Sequence, residues 1–393
     1  MIEPAVEPVT LNFGPQHPAT HGTLHFEMQL DGETIVKVTP NLGYLHTGME
    51  KIGEARTYNQ FVVVTDRMNY LSALSNNIAY SQAVEELLHI EIPERTRVIR
   101  VILSELSRIS DHIVCLGLSA MDLGAFSAFL YSFANRERLY DVFEEVTGGR
   151  LTTSYTRVGG LANDLPEGFD RRVRKALHDI SKALNELEEL LTGNRIWQQR
   201  TQGVGVITAE NALKFGCTGP IIRACGIPYD VRRAKPYLGY DKYQWDVVTH
   251  EGGDVWARYM VRKGEVAQSL RIIEQAIDSM PVGDINALKG KITLPDKVEV
   301  FGSIEGLIHH FKLIMDGHGH KPTGEVYNSS EAPNGELGYY IVADGTAKPL
   351  RIRVRPPSLY HYQAFPHMVE GKLVADAVAT LSSLNIIAGE LDR

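Results

Sequence analysis

Two histidines four positions apart, His17 and His21, are the first residues of this chain whose types and spacing indicate chemistry. They lie in residues 14–22, where two prolines and two glycines exclude a regular helix. The histidines can be turn residues bonded to nearby carbonyls, or they can form a metal or proton-transfer site. No cysteine or acidic residue inside the segment completes a zinc ligand set, so proton transfer is the favoured functional interpretation.

The residues on either side predict a β-hairpin with the histidines at its tip. Residues 9–13 come before it, and residues 24–30 after it alternate apolar and polar side chains, as a half-buried strand does. A rigid hairpin holds titratable side chains at fixed positions better than a loose loop does. We predict that residues 1–65 form a β-rich region that carries this hairpin.

Long amphipathic patterns predict a helical bundle over residues 66–200. Helices are expected over residues 70–88, after Pro93, over 125–146 and over 166–191. Short connections between them favour an antiparallel arrangement. Residues 201–393 have a mixed α/β pattern, with expected helices at 254–280 and 304–315 and strands at 337–342 and 350–355. The whole chain is therefore expected to have an α+β fold.

The last of these strands places three arginines on one face. The alternation of Arg351, Arg353 and Arg355 favours a solvated or ion-paired strand.

The composition describes a folded globular protein and excludes several classes. Of 393 residues, 44% are hydrophobic and 22% charged, and the formal net charge of −8 argues against nucleic acid as a partner. No apolar run is long enough to span a membrane, and the N-terminus lacks a signal-peptide layout. A soluble or peripheral cytoplasmic protein is expected.

The cysteines and the missing enzyme fingerprints indicate that the chain carries no cofactor. Cys115, Cys217 and Cys225 form no C-x-x-C pair, which argues against an iron–sulfur cluster, a zinc site or a disulfide framework. A phosphate-binding loop, a nucleophile elbow and a complete dinucleotide fingerprint are also missing from the sequence. If the chain belongs to an enzyme, the cofactor must sit on another chain.

Several long motifs, in order and over nearly the whole chain, resemble the quinone-site subunit of respiratory complex I. This family of bacterial D-type, or 49 kDa-type, subunits is related to the large subunit of nickel–iron hydrogenases. The motifs are residues 12–22, 43–51, 67–71, 99–108, 121–125, 335–340 and 392–393. The resemblance implies a hydrogenase large-subunit-like fold with a small N-terminal β-sheet, a central antiparallel helix bundle and a mixed C-terminal part.

The comparison with hydrogenases also gives a meaning to the absence of cysteine pairs. Those enzymes bind nickel and iron through cysteine pairs near both ends of the large subunit, but residues 46–48 and 391–393 of this chain contain no cysteine. A nickel–iron centre cannot assemble without those thiolates. In this family the vacated cavity holds the quinone headgroup and faces the subunit that carries the terminal [4Fe–4S] cluster.

The resemblance assigns roles to three residues. His21 and Tyr70 match the pair that hydrogen-bonds the quinone carbonyls, and Asp122 matches the carboxylate that pairs with the histidine. An imidazole and a phenol can stabilise the charge of a reduced quinone and donate protons, and a carboxylate favours the imidazolium. Without the resemblance, Tyr70 would be a core aromatic and Asp122 a helix cap.

Three further residues are expected near the partner's cluster: Arg108, Arg97 and His46. A nearby cation would raise the cluster's reduction potential. The alternative for Arg108 is an intrahelical ion pair with Glu105. Some family members have arginine where this chain has Thr47, so that cationic contribution is absent or supplied elsewhere.

By this resemblance, the chain is a catalytic-core subunit of a proton-pumping NADH:quinone oxidoreductase, active only in the assembled complex. It would lie peripherally on the cytoplasmic face of the inner membrane. The implied partners are the cluster-bearing B-type subunit, the C-type, I-type and membrane-arm H-type subunits, and ubiquinone or menaquinone as substrate. NADH and FMN would bind elsewhere, and no cofactor or metal on this chain. The alternatives are a subunit of a ferredoxin- or hydrogenase-type membrane-bound redox complex, and a scaffold without a catalytic part.

Overall fold

The computed structural model describes residues 9–20, 22–287, 292–317 and 319–393. His21 lies outside these ranges, so the predicted position of its side chain is not tested. The first part of the chain forms β1 (Val9–Phe13), β2 (His25–Asp31), β3 (Thr34–Asn41), α1 (Met49–Ala55), α2 (Tyr58–Thr65), α3 (Ala73–Leu87), α4 (Glu94–Asp122) and α5 (Phe126–Thr147).

A short hairpin and a series of helices follow α5. These elements are β4 (Thr156–Arg157), β5 (Gly160–Leu161), α6 (Phe169–Leu187), α7 (Arg195–Thr201), α8 (Ala209–Lys214), α9 (Pro220–Arg223), α10 (Val231–Ala234), α11 (Val255–Asp278), α12 (Lys297–Gly302) and α13 (Ile304–Asp316). The chain then forms β6 (Thr323–Ala332), β7 (Gly335–Asp344), β8 (Arg351–Arg355), α14 (Pro357–Val369), α15 (Val374–Leu384) and α16 (Ala388–Asp392).

The predicted N-terminal hairpin is confirmed. Strand β1 pairs antiparallel with β2 so that Phe13 opposes Phe26, and their rings stack with centroids 5.0 Å apart. Gly14 has a φ of +79°, and a Cβ there would lie 2.1 Å from the Leu24 carbonyl oxygen. Only glycine fits where the chain leaves β1, which explains the residue at the start of the motif.

The predicted helices are confirmed as α3, α4, α5 and α6, with small shifts at their ends. Helix α4 is central and packs against α3, α5, α11 and α15. The apolar face of α4 is buried, including Val98, Ile102, Leu106 and Ile109. Helix α3 begins at Ala73 rather than near residue 70, because residues 66–72 form hydrogen-bonded turns.

The apolar cores combine distant parts of the sequence. The N-terminal sheet packs on the C-terminal helices, where Phe26 contacts the Phe365 ring at 5.1 Å between centroids and the Tyr362 hydroxyl donates to the His25 carbonyl at 2.8 Å. Similarly, α11 packs on α4. Residues 1–65, 66–200 and 201–393 therefore share cores, and their division into three regions stays a prediction.

The C-terminal sheet has the order β6–β7–β8 and is antiparallel. The strands predicted at 337–342 and 350–355 are confirmed as parts of β7 and β8, which pair antiparallel, but strand β6 is not among the expected elements. The Arg351 guanidinium lies 2.8 Å from the Glu54 carboxylate and Arg353 lies 3.1 Å from Glu50. These contacts confirm the interpretation of β8 as an ion-paired strand. No helix in the described ranges is both long and apolar enough to cross a membrane.

Candidate active site

Tyr70 lies in a tight turn between α2 and α3. The backbone carbonyl of Asn69 accepts hydrogen bonds from the Ser72 amide at 3.1 Å and from Asn76 Nδ2 at 3.0 Å. The Asn69 side-chain oxygen accepts from the Leu71 amide at 3.1 Å. These bonds hold the main chain on both sides of Tyr70, whose own side chain is only partly buried.

The surroundings of the Tyr70 phenol further disfavour its ionisation. Burial raises its pKa above the usual value of 10, and the nearby Asp111 carboxylate raises the pKa further. A phenol with a raised pKa remains protonated at physiological pH, so it keeps the hydroxyl hydrogen that a hydrogen-bond donor needs.

Asp111 supports this turn from the middle of α4. Its Oδ2 accepts from Asn69 Nδ2 at 3.2 Å, and its Oδ1 accepts from Asn385 Nδ2 at 2.6 Å. The carboxylate is fully buried, as are both asparagines. Asp111 therefore joins the Tyr70 turn to the residue that follows α15.

The C-terminal segment, which comprises α15 and α16, contacts both the Tyr70 turn and the hairpin tip. A Cβ on Gly389 would lie 2.6 Å from the Arg67 carbonyl oxygen and 2.8 Å from that of Met68, so α16 packs directly against the Tyr70 turn. The 3₁₀ turn Pro18–Thr20 packs against α15. The fold thus brings the residues next to position 21 and the Tyr70 turn to the same C-terminal segment.

Of the two candidate histidines, His17 lies at the hairpin tip within the described residues. His17 is exposed, its Nδ1 accepts from the Ala19 amide at 3.2 Å, and its ring lies 4.3 Å from the Phe13 ring. These contacts are those of a turn residue. His21 lies outside the described residues.

Asp122 is the last residue of α4 and is partly buried. The N-cap residue of the next helix, α5, is Ala125 and not Asp122, and it makes no side-chain capping bond. The helix-cap interpretation of Asp122 is therefore not supported. Its expected partner is His21, so that pairing stays a prediction.

His46 lies beside the C-terminus. Its Nδ1 donates to the Asp392 carbonyl at 2.6 Å, and the Asp392 carboxylate accepts from the Gly43 amide at 2.9 Å and the Leu45 amide at 2.8 Å. The Arg393 side chain lies 3.2 Å from Glu50. Residues 43–50 and the C-terminal residues are therefore adjacent, held together by the Asp392 and Arg393 side chains.

The two candidate arginines are at different places on α4. Arg108 is buried, its Nε lies 3.2 Å from Glu105, and it donates to the Glu331 carbonyl at 2.6 Å. The alternative of an intrahelical ion pair is thus observed. Arg97 lies near the start of α4, 4.0 Å from Glu94 and with 38% of its side chain exposed. The helical rise separates the two by about 16 Å, and the fold does not bring them together.

Sequence reasoning missed a buried ionic network around Arg108. Its members are Glu105, Arg108, His112, Arg223, Asp230, Arg232, Glu265 and Glu331. Burial alone would raise the pKa of Glu105, but Arg108 and Arg232 outweigh it and lower that pKa to about 2. For the members in α4, the signal in the sequence is the occurrence of charged residues between apolar ones.

Glu390 was also missed. Its side chain is buried in α16, and Oε1 accepts from the Ser358 amide at 3.3 Å. Burial, with a contribution from the Asp111 charge, raises its pKa to about 8. Glu390 is therefore mostly protonated at neutral pH, close to the Tyr70 turn.

The cysteines and other possible ligands form no recognisable metal site. Within the ranges that the structure describes, no three His, Cys, Asp or Glu residues are grouped to hold a metal ion. Cys115 is buried, as is typical of a free cysteine that packs as a small apolar side chain.

The chain is similar to known proteins over its full length. Residues 122–393 match the family model described as the 49 kDa subunit of respiratory-chain NADH dehydrogenase. The D subunit of the NADH-quinone oxidoreductase of Geotalea uraniireducens is 50% identical, over 99% of this chain and 100% of that protein. The corresponding D subunit of Myxococcus xanthus is 49% identical, over 98% of this chain and 92% of its own length.

A further relative is a fusion protein. The combined C/D subunit of the NADH-quinone oxidoreductase of Bdellovibrio bacteriovorus is 50% identical over 98% of this chain and 68% of that protein. The hairpin and Tyr70 turn lie before the region matched by the family model, but the relatives' matches extend over nearly all of the chain. This chain therefore belongs to the family of the 49 kDa subunit of respiratory-chain NADH dehydrogenase.

Proposed function

We propose that this chain forms the quinone headgroup site of an NADH:quinone oxidoreductase that pumps protons. The observation that carries the proposal is the turn that holds Tyr70, which is braced by buried Asp111 through Asn69 and packed against α16. A fixed phenol is suited to a quinone carbonyl, whose oxygen becomes strongly basic as electrons arrive.

Tyr70, His21 and Asp122 are proposed to have different roles in quinone reduction. Tyr70 donates to one carbonyl oxygen of the quinone and His21 to the other. Asp122 pairs with His21 and favours the imidazolium, which can then release its proton to the reduced quinone. Conversion of the quinone to the quinol takes two electrons and two protons: His21 and Tyr70 would each release one proton, and a [4Fe–4S] cluster on the partner subunit would supply the electrons.

Arg108, Arg97 and His46 are proposed to influence that cluster. Arg108 is buried behind the surface of this chain and is paired with Glu105, so it would act on the cluster from a distance rather than by contact. Arg97 and His46 are accessible to a neighbouring subunit. A positive field would raise the cluster's reduction potential and favour its role as the last carrier before quinone.

The proposed assembly contains the B-type, C-type, I-type and membrane-arm H-type subunits, with NADH and FMN bound elsewhere. The fused C/D relative supports a C-type partner, because domains joined in one protein commonly work in one complex. This chain would lie peripherally on the cytoplasmic side of the membrane. Ferredoxin-type electron input is the second candidate, and the missing cysteine pairs disfavour a hydrogenase-type complex.

Replacement of Tyr70 by phenylalanine tests the proposal. Tyr70→Phe removes one hydroxyl and keeps the ring, so the complex should assemble while quinone reduction falls. Loss of a hydrogen bond worth roughly 0.5–1.5 kcal/mol corresponds to a decrease of about twofold to tenfold. Turnover of NADH with quinone should fall, whereas electron transfer from NADH to an artificial acceptor upstream should not change.

An exposed tyrosine provides the control. Tyr131 is 55% exposed, and Tyr131→Phe should leave both activities unchanged. Wild-type kinetics with quinone in a fully assembled Tyr70→Phe complex would rule out a direct role for this hydroxyl. A measurable nickel content in the purified complex would instead support the hydrogenase-type alternative.

A further inference from the structure

Asn69 holds Tyr70 by hydrogen bonds in two directions. Its Oδ1 accepts from the Leu71 amide at 3.1 Å, just beyond Tyr70, and its Nδ2 donates to Asp111 Oδ2 at 3.2 Å. The Asn69 amide group is buried and is therefore unable to exchange these partners for water. The orientation of the Tyr70 main chain thus depends on the position of one side chain of α4.

The position of Asp111 requires two acceptor oxygens. One oxygen accepts from Asn69 and the other from Asn385, at 3.2 and 2.6 Å. An asparagine at position 111 would present one acceptor and one donor, so it would set an N–H group against one of the two donors. The carboxylate is therefore the side chain whose hydrogen-bonding capacity matches both neighbours.

The burial of the Asp111 carboxylate is not explained by an ion pair among the described residues. Within the described part of the chain, no Lys, Arg or His side chain makes an ion pair with it, and two amides supply its side-chain hydrogen bonds. Arg136 of α5 lies nearby but donates to the Ser110 hydroxyl at 3.1 Å. A buried carboxylate without a cationic partner is costly, which argues for a role beyond packing.

We propose that Asp111 is a positioning residue for quinone reduction: through Asn69 it sets the direction of the Tyr70 hydroxyl, and through Asn385 it ties the Tyr70 turn to the C-terminal segment. This inference rests on the proposed quinone site and adds to it a residue that does not touch the substrate. Asp111 transfers no proton in this role; it keeps the donor aligned with the quinone oxygen.

The test is an exchange of the two side chains. Asp111→Asn alone should lower the kcat of quinone reduction about fivefold, since it mispairs one buried hydrogen bond, with a smaller effect on the quinone KM. The double variant Asn69→Asp/Asp111→Asn restores every bond. The new aspartate accepts from the Leu71 amide and from the new asparagine, which in turn accepts from Asn385.

The double variant should therefore recover a kcat within about twofold of the wild type. Asn69→Ala, which removes the link but keeps Asp111, should reproduce the loss. All assays use the purified intact complex, and electron transfer to an upstream acceptor corrects for the amount of assembled enzyme. A wild-type kcat in Asn69→Ala, or a double variant that assembles but stays as slow as Tyr70→Phe, would overturn the proposal.

A cycle with Tyr70→Phe separates this inference from the proposed function. If Asp111 acts through the Tyr70 hydroxyl, Asp111→Asn should have no further effect on kcat in a Tyr70→Phe background. Additive losses of kcat would overturn the positioning role of Asp111 but would not contradict the proposed quinone site. Unchanged quinone kinetics in Tyr70→Phe itself would instead reject the direct role of Tyr70, whatever Asp111 does.

Discussion

Replacement of Glu390 by glutamine is expected to remove a pH dependence from the stability of the C-terminal segment. Glu390 is 2% exposed, and burial together with the Asp111 charge raises its pKa from 4.5 to about 8. The closed segment therefore keeps the proton, whereas the opened segment, with Glu390 in water, releases it above about pH 4.5. The contribution of Glu390 to the stability of the segment against opening is therefore greatest below pH 4.5, and it is lost as the pH rises to 8.

The size of this pH dependence follows from the single proton that Glu390 releases when the segment opens. Between these two pKa values the opened form binds one proton fewer than the closed form, so the opening free energy falls by about 1.4 kcal/mol per pH unit. A rise from about pH 5.5 to 7.5 should therefore make opening about a hundredfold more frequent.

Hydrogen exchange of the Leu391 amide in the intact complex provides the assay. This amide donates to the Ile387 carbonyl at 2.9 Å, so it exchanges only when α16 opens. After correction for the intrinsic rate, its protection should fall about a hundredfold over these two pH units in the wild type. Protection should be nearly independent of pH in Glu390→Gln, because glutamine does not titrate.

Glu210 provides the control, since its side chain is 75% exposed in a surface pair with Lys214. Glu210→Gln should keep the wild-type slope. A flat wild-type profile, or the same slope in Glu390→Gln as in the wild type, would refute the assignment of a proton to buried Glu390.

Three further outcomes are expected. His21→Ala and Asp122→Asn should each lower quinone reduction without affecting electron transfer to an upstream acceptor, and their effects in the double variant should be less than additive, because the residues act as a pair. Arg223→Met should destabilise the protein by about 3–5 kcal/mol in denaturant unfolding, since it leaves the buried carboxylates of Glu265 and Glu331 without their shared cation. The folded chain, expressed alone, should contain no iron, nickel or flavin by elemental and absorbance analysis, because its three cysteines form no C-x-x-C pair.

Each of these predictions has a result that would count against it. Strictly additive losses would mean that His21 and Asp122 act independently. Arg223→Met with wild-type stability would show that the buried network contributes no net stabilisation through this cation, whereas Arg150→Met, at a surface cluster, serves as the variant expected to have little effect. Stoichiometric iron or flavin in the isolated chain would contradict its assignment as a cofactor-free subunit.

Sequence periodicity determined the elements whose pattern is local. The β1–β2 hairpin, helices α3 to α6 and the ion-paired strand β8 were predictable because alternation and the helical repeat directly mark the buried face. Strand β6 was not predictable, since most residues of Thr323–Ala332 are polar and the segment becomes a strand by pairing with β7. Its conformation depends on a partner strand, which no short pattern records.

The motifs alone also assigned Tyr70 and Asp122 to a quinone site, through resemblance to a family. The residues that support Tyr70 were decided only by the tertiary structure. Asn69, Asp111 and Asn385 come from a turn, a central helix and the end of α15, and none of them stands out among its sequence neighbours. Hydrogen bonds between buried side chains depend on distances that folding creates between remote segments, so the positions and pKa values of such groups are properties of the packed core.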